Sequence, residues 1–236
     1  MKFIKLTEHI YYSECDSKVD RPVLGYISGK NFSVMVDAGN SANHVSEYNY
    51  CLREQGLSKP KYCVITHWHW DHTFGMHALE AETIACSKTN DESLRLSAWK
   101  WDDAAMKQRL NSGEEIEFAD EHIRAEYSNT ENIKVVPAAI TFDKNWIIDC
   151  GNITCECIHL ESAHSDDSVV IYIPEEKVIF IGDIYNDDFY NNHYRDLEKT
   201  KKLYRELSEI DFDTAIPGHS EPVKKSDILN FLHRFF

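Results

Sequence analysis

The sequence predicts a mixed α/β fold, with two sheet-rich stretches separated by a helical insert. Three observations predict it. Short apolar, β-branched runs bounded by turn residues crowd residues 3–66 and return over residues 146–181. Between them, over about residues 90–127, the apolar spacing becomes that of a helix. No internal repeat and no Gly/Ser/Pro-rich linker interrupts the 236 residues, so a single domain over 1–236 is expected.

In chain order, strands are expected at 3–6, 9–13, 23–28 and 32–36, the last two joined by a Gly29-Lys30-Asn31 hairpin turn. Asp37-Ala38-Gly39-Asn40 ends that strand, and Ser41 is placed to cap a helix with the stripe Val45, Tyr48 and Leu52. Residues 62–66 read as a further strand. The insert, about 88–130, is expected to hold two helices separated by Asn111-Ser112-Gly113. One carries Leu94, Ala98, Trp101 and Ala105, the other Ile116, Ala119, Ile123 and Tyr127. Strands resume at 146–148, 153–160, 168–173 and 178–181. A helix over about 194–210, a strand at 214–216 and a terminal helix capped by Ser226 complete the chain.

Composition narrows the function. Hydrophobic residues at 42% and aromatics at 12% suffice for a large core and exclude a disordered chain. The net charge of −15 repels phosphate backbones, so a nucleic-acid partner is not expected. Lys199, Lys201, Lys202 and Arg205 lie among acids at helical spacing and read as a solvated helix face. No apolar run approaches the ~20 residues of a membrane span, and the first residues do not read as a signal peptide. With seven cysteines in mostly strand-like runs, the expectation is reduced thiols in a cytoplasmic protein with a small-molecule substrate. Cys150, Cys155 and Cys157 read as small buried hydrophobes.

The chemistry is concentrated in Thr66-His67-Trp68-His69-Trp70-Asp71-His72. Just past a strand, His67 and His69 at i and i+2 can converge on one metal, while Asp71 and His72 can face a second beside it. Three imidazoles and a carboxylate this close are costly in a core, and the interleaved Trp68 and Trp70 do not suit a solvent face. Nitrogen and carboxylate donors suit zinc, iron, manganese or cobalt rather than calcium. His9, His44, His77, His122, His193 and His233 are isolated and read as surface or supporting residues, and His159 as core. His193 sits among Tyr185, Tyr190 and Tyr194, where a substrate contact is plausible.

This run resembles the H-x-H-x-D-H signature of the metallo-β-lactamase superfamily, and further motifs follow in order. Val34-Met35-Val36-Asp37-Ala38-Gly39 is similar to the family's strand ending in D-x-G. His164 in Glu161-Ser162-Ala163-His164-Ser165, Asp183 after Ile179-Phe180-Ile181-Gly182, and His219 in Ile216-Pro217-Gly218-His219-Ser220 stand where the family has its later ligands. The resemblance implies a four-layer αβ/βα sandwich with metals at one edge. It assigns His67, His69 and His164 to one cation, Asp71, His72 and His219 to another, and Asp183 to the position between them. Two divalent ions, zinc first with iron or manganese as alternatives, would then activate a bridging hydroxide, with Asp71 orienting it or handling its proton.

Departures from the family patterns narrow the substrate. Asp183 stands where cysteine-ligand lactamases have Cys, and Asn186 where they have a drug-binding Lys. Too little chain follows His219 for the substrate-binding portion of glutathione thioester hydrolases. Tyr185 stands two rather than three positions after Asp183, unlike the tyrosine of homoserine-lactone hydrolases. The expected function is a dinuclear metal-dependent hydrolase of a small ester, thioester, lactone or related amide. The alternatives are a β-lactamase-like activity or an iron-dependent oxidoreductase resembling persulfide dioxygenases. Trp99, Tyr185 and His193 are the candidate substrate contacts, and the insert, through Trp99 and Phe118, is a candidate apolar wall over the metals.

Overall fold

The computed structural model describes residues 1–236 and contains two sheets. The first comprises β1 (Phe3–Lys5), β2 (Ile10–Ser13), β3 (Gly25–Ser28), β4 (Ser33–Val36), β5 (Tyr62–Val64), β6 (Glu82–Cys86) and β7 (Ile140–Phe142). They lie in sequence order, antiparallel from β1 to β4 and parallel from β4 to β7. The second comprises β8 (Asn145–Asp149), β9 (Thr154–His159), β10 (Val169–Ile173), β11 (Val178–Gly182), β12 (Thr214–Pro217) and β13 (Val223–Lys224). Its strands also run in sequence order, antiparallel except for the parallel pair β11–β12.

Alternation along the central strands builds the layers. On β10, Val169, Ile171 and Ile173 enter the core between the sheets, while Val170 and Tyr172 face the other way. On β4, Val34 and Val36 point inward and Met35 outward. Period-2 geometry therefore buries both faces of these strands. Helix α1 (Ala42–Glu54) covers the outer face of the first sheet through Tyr48 and Leu52. Its cap is Ser41, whose hydroxyl accepts the His44 N–H at 3.0 Å. The outer face of the second sheet is covered by α6 (Leu197–Glu209) and α7 (Lys225–His233) through Leu203, Leu207, Ile228 and Leu232. The layers are thus α, β, β, α. Cys150, Cys155 and Cys157 lie in the inter-sheet core, and the Lys199–Lys202 face of α6 pairs with Asp166, Glu161 and Glu198.

The structure corrects the expected elements in several places. Between α1 and α6 lie α2 (Trp70–Thr73), α3 (Ser87–Ser97), α4 (Asp103–Ser112) and α5 (Glu117–Glu126), so the insert holds three helices rather than two. The break falls before Asp102, whose carboxylate accepts the Ala105 N–H and caps α4. The stripe expected through Leu94 fails: Leu94 is 49% exposed, and α3 buries Thr89, Ser93 and Leu96 instead. The reason is polar, since Thr89 is turned inward to donate to the buried Asp167 at 2.7 Å. The α5 stripe holds, with Ala119 and Ile123 buried. Strands β6, β7 and β13 were not expected, and α7 is capped by Asp227, which accepts the Lys224 N–H, rather than by Ser226. His159 is not core; its Nε2 meets the Asp166 carbonyl at 2.7 Å on a half-exposed strand end.

The insert is anchored on α2 by an aromatic cluster. Phe74 packs edge-on against Trp70 (6.0 Å) and Trp101 (5.1 Å), with Leu96, Met106 and Ile123 completing the contact. Phe74 is fully buried, so Phe74→Ala should cost about 3–5 kcal/mol in urea unfolding. A loss under about 1 kcal/mol would show that the insert is held by other contacts.

Candidate metal centre

The donors gather at one edge of the sandwich, on the loops that follow strands and on α2, which carries Asp71 and His72 with His69 at its N-terminal cap. Asp37 follows β4, His67 follows β5, Asp183 follows β11 and His219 follows β12, while His164 lies between β9 and β10. Backbone bonds join the two sheets here: Val169 N–H donates to Thr66 O at 2.7 Å, and Val23 N–H to Gly218 O at 2.7 Å. Gly218 N–H reaches Gly182 O at 3.0 Å, drawing the β11 and β12 ends together. A Cβ on Gly218 would stand 2.3 Å from Asp183 Oδ1 and 3.0 Å from the His72 ring, so glycine is required for this close approach.

All seven expected donors are brought together. His67, His69 and His164 offer ligand atoms within 4.8 Å of one another, as do His67, His72 and Asp183, and again Asp71, His72 and His219. The His67 and His164 Nε2 atoms are 3.3 Å apart, and His219 Nε2 lies 3.0 Å from Asp71 Oδ2 and 3.4 Å from Asp183 Oδ2.

Partners behind the rings fix which nitrogen faces the cluster. His72 Nδ1 meets Asp37 Oδ2 at 2.7 Å, and that carboxylate also accepts the Thr66 N–H (2.7 Å) and hydroxyl (2.9 Å). His164 Nδ1 donates to Asp187 O at 2.8 Å, and His67 Nδ1 lies 3.1 Å from Thr66 Oγ1. Such contacts orient imidazoles with the Nε2 lone pair inward.

Burial, then the neighbouring histidines, push His67 and His69 well below the usual histidine range, so both rings are neutral donors. For Asp71, burial works to raise the value, but His72 and His219 outweigh it and hold the carboxyl well below its ordinary range. Burial likewise opposes the charge on His72 and His219, yet the carboxylates prevail. Asp71 and Asp37 raise His72, and Asp183 and Asp71 lift His219 to about 9.

The donors fit a divalent cation. Asp183 Oδ1 is buried without any hydrogen-bond partner, and His72 Nε2, although 3.0 Å from Asp71 Oδ2, is out of line for a hydrogen bond. A buried carboxylate oxygen and ring nitrogen left so are costly unless a cation satisfies them.

A cavity of about 280 Å³ opens over the cluster, lined by His69, Asp71, Asp183 and His219 on one side and by Ile116, Phe118 and Phe189 on the other. Phe118 therefore reaches the site edge, while the candidate contacts Trp99, Tyr185 and His193 do not line this cavity. Trp99 is held between the Arg95 and Arg109 guanidinium groups, Tyr185 packs on Phe231, and His193 is exposed beside Phe189. Two further residues emerge only here. Asp20 lies 3.7 Å from His219 Nδ1, and burial with the neighbouring Asp71 pushes its carboxyl up to about 7. Tyr190 stacks on His69 at 5.3 Å and donates its hydroxyl to Glu115 at 3.0 Å. No sequence spacing links Asp20 to the donors, and Tyr190 was marked only as one of several tyrosines.

Comparison with known proteins agrees with this architecture. The bovine (Bos taurus) acyl-coenzyme A thioesterase MBLAC2 is 22% identical over 184 residues, 71% of this chain and 60% of that protein. The chain thus spans about 60% of the length of that curated relative. The Pseudomonas sec-alkylsulfatase Pisa1 superposes with a TM-score of 0.72 at 16% identity, over 99% of this chain and 40% of that one. A metallo-β-lactamase from Hirschia baltica gives 0.64 at 17% identity, over 99% and 96% of the two chains. The family model described as the metallo-beta-lactamase superfamily matches residues 23–219, from the approach to β3 as far as the donor His219, and the chain belongs to that superfamily.

Proposed function

We propose that the chain is a metal-dependent hydrolase of a small ester, thioester, lactone or related amide, working with two divalent cations. The observation that carries this is the buried convergence of five imidazoles and two carboxylates beneath an open cavity, with Asp183 Oδ1 unpartnered. His67, His69 and His164 would hold one cation, Asp71, His72 and His219 the other, with Asp183 shared. Zinc is the first assignment for this donor set, and iron or manganese would accept it too. When bound, the cations supply Lewis-acid polarisation of the scissile carbonyl and acidify water to near neutrality.

The chain's own residues do the rest. Asp71 stays ionised and lines the cavity, where it accepts a hydrogen bond from the attacking water and orients it. Asp37 holds the His72 ring through Nδ1, and Asp187 O holds His164. Cys15 is the one thiol lining the cavity, and burial pushes it above its ordinary value, which opposes a thiolate nucleophile. The name of the bovine relative supports thioesters among the candidates. No helix is long and apolar enough to cross a membrane, and seven free cysteines support a reducing, cytoplasmic setting.

The test is metal analysis of protein purified without added metal, then an ester, thioester, lactone, lactam and phosphodiester panel. Two equivalents per chain are expected, with turnover abolished by chelator and restored by zinc. Cation uptake at pH 7 should release protons from His72 and His219, and apparent affinity should rise as pH climbs toward about 9, the His219 value. Calorimetry in buffers of different ionisation enthalpy reads this directly. Turnover that persists in chelator would overturn the reading.

A further inference from the structure

We propose that the cavity over the donor cluster is an apolar-chain pocket, so that the substrate is an ester or thioester carrying an uncharged alkyl or aryl chain next to the scissile bond. This rests on the hydrolytic reading above and deepens it.

Ile116, Phe118 and Ala119, at the start of α5, form one wall, and Phe189, in the turn after β11, joins them. The Phe118 and Phe189 rings stand 6.3 Å apart. An exposed phenylalanine alone needs no explanation. Phe118 is 47% exposed, however, and is continuous with other apolar side chains around a single concavity beside the reactive groups. No Lys or Arg lines this cavity, whereas Asp20, outside the donor set, does. With His219 engaged by its cation, a chain ending in carboxylate or sulfate would thus find no lysine or arginine to meet it, and its desolvation would go uncompensated.

The wall is also held in place. Tyr190 lies between Trp68 and His69 on one side and hydrogen-bonds the buried Glu115 on the other. That bond ties the turn carrying Phe189 to the residue preceding Ile116, so the pocket stands formed before substrate arrives, which lowers the ordering cost of binding. Beyond His69 and Tyr190 lies a separate cavity of about 450 Å³ containing Lys88, Asp91, Glu92 and Lys199. A polar half of the substrate has its place there.

The experiment uses the zinc-loaded chain and two ester series. One lengthens the acyl group of p-nitrophenyl esters from acetyl to octanoyl, and the other lengthens the alcohol of acetate esters. In one of them kcat/KM should rise about fourfold per methylene, since ~0.8 kcal/mol accompanies each buried CH₂, until the cavity is full. A succinyl ester should be turned over at least about tenfold more slowly than the butanoyl ester. Phe118→Ala and Ile116→Ala should flatten the rise to under about twofold per methylene with metal content unchanged, and Phe118→Ala, whose side chain is exposed, should leave the melting temperature unchanged as well. Separately, hexan-1-ol should perturb tryptophan fluorescence of the metal-free chain through Trp70, which lines the cavity. Phe118→Ala should weaken its binding about fivefold or more. Turnover with flat profiles in both series, or a preference for the succinyl ester, would overturn the pocket and leave hydrolysis standing. Absence of all turnover, with hexan-1-ol bound and released by Phe118→Ala, would overturn hydrolysis and support the pocket.

Discussion

Asp183→Ala should bind one cation tightly where the proposed site predicts two for the wild-type chain, and should lose most of its activity. The carboxylate is buried, lies 3.4 Å from His219 Nε2 and 3.9 Å from the Nε2 atoms of both His72 and His164, and has one oxygen with no partner in the protein. It makes ion-pair contacts with donors of both groups, His164 in one and His72 and His219 in the other. Removing one partner of a buried charge pair typically costs about 3–5 kcal/mol, which at 1.4 kcal/mol per decade is roughly a hundredfold to a few thousandfold in affinity. The loss should appear in the second equivalent of a zinc titration, with kcat/KM falling by a similar factor. His67→Ala is the contrasting variant. His67 shares one donor group with His69 and His164 and another with His72 and Asp183, so its loss should empty the first site before the second. Two tightly held cations and unchanged turnover in Asp183→Ala would remove Asp183 from the shared position, and a wild-type chain that saturates with one tightly bound cation would sink the paired arrangement.

How much of this was legible in the sequence depended on whether a feature was local. His67, His69, Asp71 and His72 lie within one short run, so their convergence follows from strand-end geometry. His164, Asp183 and His219 each stand just past a strand whose apolar run could be read. The helix over Val45, Tyr48 and Leu52 and its Ser41 cap were legible for the same reason. Strand β6 was not: Glu82-Thr83-Ile84-Ala85-Cys86 is short, follows helix-like residues, and is paired in parallel on both sides, so it shows no alternation to a polar face. The phase of α3 was misjudged because Thr89 faces inward to donate to Asp167, with Ser93 buried on the same side and donating to the Thr89 carbonyl, and periodicity counts both as solvent-facing. Trp99 was read as a pocket wall because large aromatics suit one, yet it is spent on two arginines. Phe189, Asp20 and the Tyr190–Glu115 bond depend on segments far apart in the chain, and no spacing rule reaches them.

Asp37→Asn is expected to weaken binding of the cation proposed for Asp71, His72 and His219 by about 10–100-fold, the usual cost of losing a partner behind a ligand, although it deletes none of the proposed ligands and changes no volume. Asp37 sits at φ 60°, a conformation that asparagine also tolerates, so the backbone gives no reason for a loss. The reason is donor and acceptor matching. The carboxylate accepts three hydrogen bonds, from Thr66 N, from Thr66 Oγ1 and from His72 Nδ1. With the amide nitrogen toward His72, an N–H meets an N–H, and the ring relieves the clash by moving its proton to Nε2, the atom needed for the cation. With the amide turned round, the same conflict falls on the Thr66 backbone N–H. One buried donor is left unpaired in either orientation, at about 1–3 kcal/mol. Asp37→Ala separates stability from tautomer control: it removes all three acceptors, lowers the melting temperature more, and leaves His72 free to choose either nitrogen. If the asparagine variant takes up both cations with wild-type affinity, the cation itself fixes the His72 tautomer, and Asp37 serves only to tie β4 to Thr66.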